Sequence, residues 1–257
     1  MESFGPWQLE SLIAVGGLGE IWRARRGARE TVALKRLHTH LARNDEGLAQ
    51  FTLEQNLATS LPRHPNVVHA SEAGAVDGRP FVAMELAPGQ DLRRTVAPPA
   101  VLPRARVLSI VIGACRAAAH LHAHGWVHGD INPSNLIVDD ADHVTLIDLG
   151  IARAIGEAGS VRGTHAYMAP EQVRGEPWTP ATDVFALGVV LWELASGARL
   201  FHRGPPWLSM AAVVEQAAPP LPDAALDAIV QAALHKDPAQ RLSSPDELAA
   251  RLRPTTP

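Results

Sequence analysis

Cysteine is almost absent from this sequence, in which Cys115 is the only one among 257 residues. A lone cysteine excludes an intrachain disulfide and fits a reducing cytosol. A chain of this length can bury a full core, as one large domain or as two lobes. The contents of 46% hydrophobic and 19% charged residues are typical of a globular protein.

Long apolar stretches and an excess of positive charge are missing as well. The longest apolar run, residues 184–195, is interrupted by Gly188 and Glu193 and is too short to span a bilayer. The first ten residues contain neither a basic nor an apolar stretch, which argues against a signal peptide. The net charge of −4 and the isoelectric point near 6.3 argue against a nucleic-acid partner or a polybasic membrane contact. We therefore expect a cytoplasmic protein with no nucleic-acid partner and no membrane partner.

The most informative stretch is residues 126–150, WVHGDINPSNLIVDDADHVTLIDLG. Two short apolar runs flank the polar segment DDAD, a pattern that predicts a hairpin. Because the two ends of a hairpin meet, Asn135 and Asp148 are expected side by side. Amide and carboxylate oxygens suit Mg²⁺, which takes few protein ligands. Asp130 lies five residues before Asn135 and is then placed to accept a hydroxyl proton.

Hydrophobic spacing predicts the main elements outside this stretch. Strands are predicted at 7–15, 21–24, 31–37 and 81–86, and helices at 46–61, 104–124, 183–197 and 223–236. A last helix is predicted to open at Ser244 with a capping box. Gly197 is predicted to end the helix at 183–197.

Several motifs, in order along the chain, resemble those of protein kinases. HGDINPSN at residues 128–135 resembles the catalytic-loop motif HRDLKPEN, and DLG at 148–150 resembles DFG. VALK, which ends at Lys35, resembles the strand motif VAIK, and GTHAYMAPE at 163–171 resembles the end of the activation segment. The sequence is therefore similar to the eukaryotic-like (bacterial) serine/threonine protein kinases from about residue 7 to residue 252.

The resemblance implies an α+β class and a two-lobed protein-kinase-like fold. The domain would cover residues 7–252, with short tails at 1–6 and 253–257. Residues 7–86 would form a small β-rich N-lobe with one helix, and residues 87–252 a larger, mainly helical C-lobe.

The resemblance also implies ATP as cofactor, with Mg²⁺ or alternatively Mn²⁺. Lys35 would hold the α- and β-phosphates and pair with Glu54, Met84 would be the gatekeeper, and the backbone of Glu85 and Ala87 would bind the adenine. The implied ATP contacts come from Ile13, Ala14, Val15, Gly16, Gly17, Leu18, Gly19, Ile21, Ala33, Lys35, Glu54, Met84, Glu85, Ala87, Ile137 and Asp148.

The same resemblance implies the catalytic and metal-binding residues. Asp130 would orient and deprotonate a Ser or Thr hydroxyl of a protein substrate, and Thr164 would hydrogen-bond to Asp130. Asn135 and Asp148 would hold the metal. A regulatory protein is a further implied partner.

Four more residues would support this loop and the larger lobe. His128 is expected to prop the catalytic loop, and Asp183 is expected to have a structural role. Glu171 is expected to form a salt bridge with Arg241, seventy residues further along the chain.

The sequence departs from the kinase pattern at three positions. Ala14 replaces the first glycine of the Gly-rich loop, and Gly129 replaces the arginine that receives an activation-loop phosphate. Asn132 stands where serine/threonine kinases carry a lysine, and Ser134 stands where tyrosine kinases carry an arginine. We therefore expect phosphotransfer that is slow, or that takes its missing cation from Arg153, Arg162 or the substrate. We expect it not to depend on phosphorylation of Ser160, the only hydroxyl residue between positions 150 and 163.

Two other functions fit parts of the same pattern. The chain could be a pseudokinase or a nucleotide-binding interaction module, because Gly129, Asn132 and Ala14 depart from the active pattern. It could also be a small-molecule kinase, because HGDINPSN resembles the HGDLxxxN loop of aminoglycoside and choline kinases. GTHAYMAPE favours a protein kinase over the latter.

Overall fold

The structure is a computed structural model that describes residues 2–27, 30–96, 99–159 and 161–253. The chain divides into two compact units. The first contains the residues up to Ala87 together with Asp148–Gly150, and the second contains Pro88–Ile147 and the residues from Ile151 onward. The chain therefore leaves the first unit and returns to it for three residues.

The first unit is built on a six-stranded antiparallel sheet. Its strands are β1 (Glu2–Phe4), β2 (Trp7–Val15), β3 (Gly19–Arg26), β4 (Glu30–Leu37), β5 (Ala70–Val76) and β6 (Arg79–Glu85). They lie in the order β1-β2-β3-β4-β6-β5. Ile21 pairs with Lys35 across β3 and β4, and Ala33 pairs with Met84 across β4 and β6. Because side chains alternate along a strand, these four residues share one face of the sheet.

The helix α1 (Asp45–Ser60) packs on this sheet against β5 and β6. Its first turn is capped by Asn44, whose side chain accepts a hydrogen bond from the Gly47 N–H at 2.8 Å. Gln55 ties the helix to the sheet, because its Nε2 donates to the carbonyls of Gly74 and Phe81. This anchoring fixes the helix face that carries Glu54.

The opposite side of the sheet has its own apolar cluster. Trp7, Leu34 and Ala83 are completely buried there, and Phe4 meets Phe81 edge to face at 5.8 Å between ring centroids. Burying side chains of this size contributes about 1.5–3 kcal/mol each, which holds the strands in register.

The second unit is mainly helical. Its helices are α2 (Leu92–Thr95), α3 (Arg104–Ala123), α4 (Pro170–Arg174), α5 (Pro180–Ser196), α6 (Pro206–Glu215), α7 (Ala224–Ala233) and α8 (Pro245–Leu252). Its short strands are β7 (Gln90–Asp91), β8 (Trp126–Val127), β9 (Leu136–Val138), β10 (Val144–Leu146) and β11 (Arg153–Ala154). They form the small sheets β10-β9-β7 and β11-β8.

The helix α5 is the centre of the second unit's core. It packs against α3, α7 and α8, and residues 181–194 are all buried. Gly197 ends it in the left-handed conformation, with φ of 69°, as the sequence predicted. The longest apolar run is thus a core helix. Within the described ranges, we find no helix with the length and apolarity needed to cross a membrane.

The structure tests two predicted helix ends, the start at Ser244 and the end at residue 236. The predicted cap at Ser244 is present, because its hydroxyl accepts the Glu247 N–H at 3.2 Å. The Glu247 carboxylate accepts the Ser243 N–H at 2.9 Å rather than that of Ser244, so only half of the predicted capping box is formed. The predicted helix at 223–236 is too long, because α7 ends at Ala233. Pro238 explains the early end, since the residue before a proline avoids the helical region and Asp237 is extended.

Candidate active site

The hairpin predicted around residues 136–147 is present. Leu136 pairs with Leu146 and Val138 with Val144, and the Ile147 N–H extends the pairing by donating to the Asn135 carbonyl at 2.9 Å. Asn135 and Ile147 therefore face each other at the open end of the hairpin. The position of Asp148, the next residue, relative to Asn135 stays a prediction.

Asp130 is held by donors from two places in the second unit. The Asn135 amide Nδ2 donates to both the Asp130 carbonyl, at 2.9 Å, and the Asp130 carboxylate, at 3.1 Å. The Thr164 backbone N–H donates to the other carboxylate oxygen at 2.8 Å. Gly163 leaves room for this contact, because a Cβ there would come within 3.1 Å of the carboxylate. These contacts orient the carboxylate before any substrate arrives.

Two buried residues, Asp183 and His128, hold the backbone of the loop that carries Asp130. Asp183 accepts the N–H groups of His128 and Gly129 at 2.9 and 2.8 Å, together with His122 Nε2 at 2.7 Å. Burial alone would raise the pKa of Asp183, but the hydrogen bond from His122 and the nearby N–H groups hold that pKa below its ordinary value. The Asp130 N–H in turn donates to His128 Nδ1 at 3.2 Å. The predicted supporting roles of His128 and Asp183 agree with these contacts.

Lys35 is the centre of a charged group in the first unit. Its ammonium lies 2.5 Å from Glu54 Oε1 and 2.7 Å from Asp148 Oδ1. Lys35 and Glu54 are buried, whereas the Asp148 side chain is 38% exposed. One ammonium faces two carboxylates, so the group carries a net negative charge next to an accessible oxygen.

Burial and charge act in opposite directions on this group. Burial alone would lower the pKa of Lys35, but Asp148 and Glu54 raise it well above its ordinary value, so the ammonium stays protonated. Burial raises the pKa of Glu54 although Lys35 opposes that shift. Its second oxygen Oε2 is buried and has no hydrogen-bond partner within the described part of the chain. An unsatisfied buried oxygen of this kind costs free energy.

Asp148 has a strained backbone. Its φ is 64°, in the left-handed region that non-glycine residues rarely enter. Gly150 is suited to follow it, because a Cβ there would lie 3.1–3.4 Å from Asp148, Glu54 and Lys35. The Gly150 carbonyl accepts Gln50 Nε2 at 3.0 Å, which ties these three residues to α1. Strain of this kind concentrates at functional positions.

The glycine-rich turn between β2 and β3 is accessible at Gly17 and closely packed at Gly19. The Gly16 N–H donates to the Gly19 carbonyl at 2.8 Å, and a Cβ at Gly19 would overlap the Arg36 backbone. A Cβ at Gly17 would meet nothing within 4 Å, so the backbone of the turn is accessible to a ligand. Ala14 pairs with Ile21 near the turn, so the alanine is accommodated there as an ordinary strand residue.

The remaining residues predicted to bind ATP lie on both units. In the first unit, Ile13 and Val15 are exposed at the end of β2, and Met84 is buried in β6. Glu85 follows Met84, and its N–H donates to the His69 carbonyl at 3.0 Å. Ile137 is half-buried in β9 of the second unit. Ala87 is the last residue of the first unit before the chain enters the second.

Comparison with known proteins agrees with these motifs. A model of the protein kinase domain matches residues 7–251. The chain belongs to the protein kinase family. The predicted α+β class is confirmed, with one sheet-rich unit that carries α1 and one mainly helical unit.

Curated bacterial kinases are similar over almost the whole chain. Serine/threonine-protein kinase pkn3 of Myxococcus xanthus is 33% identical over 96% of this chain and 49% of the relative. A probable serine/threonine-protein kinase of Corynebacterium efficiens is 34% identical over 96% of this chain and 40% of the relative. Serine/threonine-protein kinase PknJ of Mycobacterium tuberculosis is 32% identical over 96% of this chain and 44% of the relative. The chain spans less than half the length of these relatives.

The predicted ion pair between Glu171 and Arg241 of the kinase domain is confirmed. The guanidinium binds both carboxylate oxygens, at 2.8 and 3.0 Å, and both residues are buried. Arg241 also donates to the Ala181 carbonyl at 2.7 Å. A bidentate pair of this kind joins α4 to the start of α5 and to the segment before α8.

Asn132 serves the kinase loop itself. Its Nδ2 donates to the Asp130 carbonyl at 3.0 Å, and its Oδ1 accepts the Ser134 N–H at 2.9 Å. The residue is buried and caps the short 3-10 turn Pro133–Asn135. Asn132 therefore supplies geometry to the loop and no charge.

Trp178 also belongs to this region, although no sequence motif marks it. Its ring lies where a Cβ at Gly129, or at Gly159, would overlap it. The Trp178 backbone pairs with the same segment, donating to the Glu157 carbonyl at 3.0 Å and accepting the Gly156 N–H at 2.8 Å. The indole thus joins the residue before Asp130 to the segment around Gly159. Ser160 lies outside the described residues.

Proposed function

We propose that this chain is an ATP-dependent serine/threonine protein kinase that transfers a γ-phosphoryl group to a protein hydroxyl. It would be of the non-RD type, which lacks the arginine before the catalytic aspartate, with Asn132 in place of the catalytic-loop lysine. The main support is the buried contact of Lys35 with Glu54 and Asp148. Its excess negative charge, beside an exposed oxygen, suits a divalent cation and a polyphosphate better than a purely structural ion pair.

ATP would bind against the first unit, and a contact with Ile137 stays a prediction. Lys35 has an ammonium hydrogen beyond those used by the two carboxylates and would donate it to a phosphate oxygen. The accessible backbone at Gly17 would approach the phosphates, as glycine-rich turns do. The apolar side chains of Ile13, Ile21 and Ala33 would contact the adenine.

Mg²⁺ fits the chemistry of the two proposed ligands. The amide nitrogen of Asn135 is used by Asp130, which leaves the Asn135 oxygen as an acceptor for a cation. The exposed Asp148 carboxylate is the second hard oxygen ligand. When bound, the metal would neutralise charge on the phosphates. One carboxylate and one amide also explain why the described residues contain no cluster of three or more His, Cys, Asp or Glu side chains suited to a metal.

Asp130 would orient the substrate hydroxyl and accept its proton. The Asn135 and Thr164 contacts hold the carboxylate in one orientation, which is what positioning of a nucleophile requires. The contact from Thr164 uses its backbone N–H, so a role for the threonine hydroxyl stays a prediction. Asn132 would keep the loop in shape.

A second function, ATP binding without transfer, is favoured by one observation. Asn132 is neutral and both ends of its amide are used within the loop. A missing charge of this kind costs roughly 2.7–4 kcal/mol of transition-state stabilisation, or about a hundred- to a thousandfold in rate. Lys35 and the metal would still act on the phosphates, so we propose slow turnover.

The substitution Asp130→Asn tests the proposed function. The protein is incubated with radiolabelled ATP and Mg²⁺, with a generic protein substrate, and phosphorylated residues are mapped by mass spectrometry. We expect phosphoserine or phosphothreonine with the wild-type protein and a loss of at least about a hundredfold with Asp130→Asn, because the proton acceptor is removed.

Asp140→Asn is the matched control for this test. Asp140 is exposed in the hairpin turn, so the same chemical change there should leave the rate unchanged. Equal incorporation by the wild-type protein and Asp130→Asn would exclude the kinase assignment. Tight ATP binding without incorporation would favour the second function.

A further inference from the structure

A cavity of about 450 Å³ lies in the second unit beside Asp130. It adjoins the proposed base because two of its lining residues, Asn132 and Thr164, contact Asp130 directly. A protein segment whose hydroxyl reached Asp130 would therefore extend into this cavity.

The lining of the cavity is polar and basic. Arginine, histidine and small polar residues contribute most of its functional groups, and the residues described along its lining include no aspartate or glutamate. The groups that matter for charge are Arg93, His165, Arg199 and His202. This is a local exception in a chain with a net charge of −4.

The charge of Arg199 is already compensated. Its Nη1 donates to Glu193 at 2.7 Å and to the Tyr167 hydroxyl at 2.6 Å. Burial and the Glu193 carboxylate raise the pKa of Tyr167 well above its ordinary range, so the phenol remains a neutral donor to Glu193 at 2.6 Å. Glu193 also accepts the Leu200 N–H at 2.9 Å and is fully used.

Arg93 is a second cation of the cavity and lies outside this hydrogen-bond network. It lies on α2, is exposed, and within the described residues its side chain has no ion pair or hydrogen bond. Its neighbour Arg94 is paired with Asp91 at 3.2 Å. The cavity therefore has one uncompensated positive charge at its edge, and a planar guanidinium is suited to carboxylate and phosphate.

We propose that this cavity binds an anionic side chain of the protein substrate, a few residues from the hydroxyl that reaches Asp130, through Arg93. The anion is the carboxylate of Asp or Glu or the phosphate of an already phosphorylated residue. This inference rests on the proposed kinase function and specifies its substrate. A basic side chain in the same place would face Arg93 and would be rejected.

The test uses a set of threonine peptides that differ at one flanking position at a time. Each position carries Asp, phosphoserine, Ala or Lys, and kcat and KM are measured with the full chain. At one or two positions, we expect kcat/KM for the anionic peptides to exceed that for the Ala peptide by about tenfold, mainly through KM. Comparing the Asp with the phosphoserine peptide distinguishes the two sources of the anion.

Arg93→Glu should reverse the preference, so that the Lys peptide becomes the better substrate at the same position. Arg116→Glu is the control, because Arg116 is an exposed arginine on α3 and this variant makes the same change in net charge. An unchanged preference in Arg93→Glu, or equal kcat/KM for all peptides, would overturn the inference while leaving the kinase function standing.

Binding of fluorescein-labelled peptides, followed by anisotropy, separates this inference from the kinase function. If no peptide is phosphorylated, the kinase function fails. A preference for anionic peptides that is lost in Arg93→Glu would still support the binding site. Equal binding of all peptides would refute it.

Discussion

The two ends of the Asn132 amide are both used to shape the loop that carries Asp130. One end donates to the Asp130 carbonyl and the other accepts the Ser134 N–H. A lysine at this position could not accept the second bond. Compared with the lysine of the kinase pattern, Asn132 therefore lacks the positive charge but caps the turn that follows.

Asn132→Lys should raise kcat, because it supplies a cation where the phosphoryl group would carry negative charge. The gain should stay below the full hundred- to thousandfold effect, because the loop that carries Asp130 loses the two Asn132 hydrogen bonds. The lost cap should also cost about 1 kcal/mol in stability. Steady-state kcat and the thermal midpoint measure the two effects separately. Asn132→Met provides a long side chain without charge and should lose the cap with no gain in rate. A kcat unchanged by the lysine would count against the idea.

Single residues were predictable from sequence where a motif fixes them. Lys35, Glu54, Glu171 and Arg241 could be paired in advance, because each lies in a short recognisable pattern and a buried charge needs a partner. Trp178 could not, because its contacts with Gly129 and Gly159 depend on how distant segments fold together. Arg93 was not predicted for the same reason, because no sequence pattern marks an exposed arginine as part of a cavity.

At the scale of elements, the segment around Gly159 is held by two interactions with the residues before α5. Its backbone pairs with Trp178, and its glycine lies against the indole ring. An arginine before Asp130 would normally hold this segment through a phosphate. Here Gly129 has φ of 76° and its space is filled by the same indole. The packing offers a physical reason for the prediction that activity does not depend on phosphorylation of Ser160.

Gly159→Ala should lower kcat about tenfold or more, because its methyl group would overlap the Trp178 ring and displace the segment. Trp178→Val makes room, so the double variant Gly159→Ala/Trp178→Val should behave like Trp178→Val alone. The non-additivity of a double-mutant cycle in kcat/KM and in urea stability measures this coupling. Additive effects of the two changes would show that the indole does not act on this segment. Gly156→Ala is not a suitable control, because Gly156 has φ of 91°.

The sequence predicted elements best where they carry a strong period or a cap. The bounds of β2 and α3 agree with the predicted ones to within a residue, and β3 and β4 lie where strands were expected. The strand β5 was missed, because ASEAGAV consists mostly of small residues with low strand propensity and gains its order from pairing with β6. The short β1 was missed for a similar reason, since its pairing with β2 is what defines it.

At the scale of the whole molecule, positive charge is almost entirely supplied by arginine. Lysine occurs only at Lys35 and Lys236. Lys236 lies near the rings of Phe201 and Phe185, donates to the Val213 carbonyl, and has the Arg241 charge nearby. Burial and the charge of Arg241 lower the pKa of Lys236 to about 8.

The free energy of unfolding should therefore rise with pH between about 8 and the ordinary lysine value of 10.5. In this window the folded chain has released the Lys236 proton while the unfolded chain still binds it, so the unfolded state binds more protons. Below pH 8, Lys236 is protonated in both the folded and the unfolded state. The folded state then bears the full free-energy cost of burying this charge. Lys236→Met should lack this rise, and the difference between the two proteins in urea unfolding isolates it.

The scarcity of lysine makes a direct check available. In a protein labelled only at lysine, NMR should show two ε-carbon signals, one that titrates near pH 8 and one that does not titrate in the accessible range. Loss of the titrating signal in Lys236→Met assigns it. A midpoint near 10.5 for Lys236 would contradict the expected stabilisation at alkaline pH.

The return of Asp148–Gly150 to the first unit has a consequence for chimeric kinases. A chimera that exchanges residues only up to Ala87 with a relative would join a foreign Lys35 and Glu54 to the original Asp148. The ammonium would then meet a carboxylate whose strained backbone was shaped by another parent. Functional recombination should therefore require two crossovers, so that this tripeptide is inherited together with the sheet.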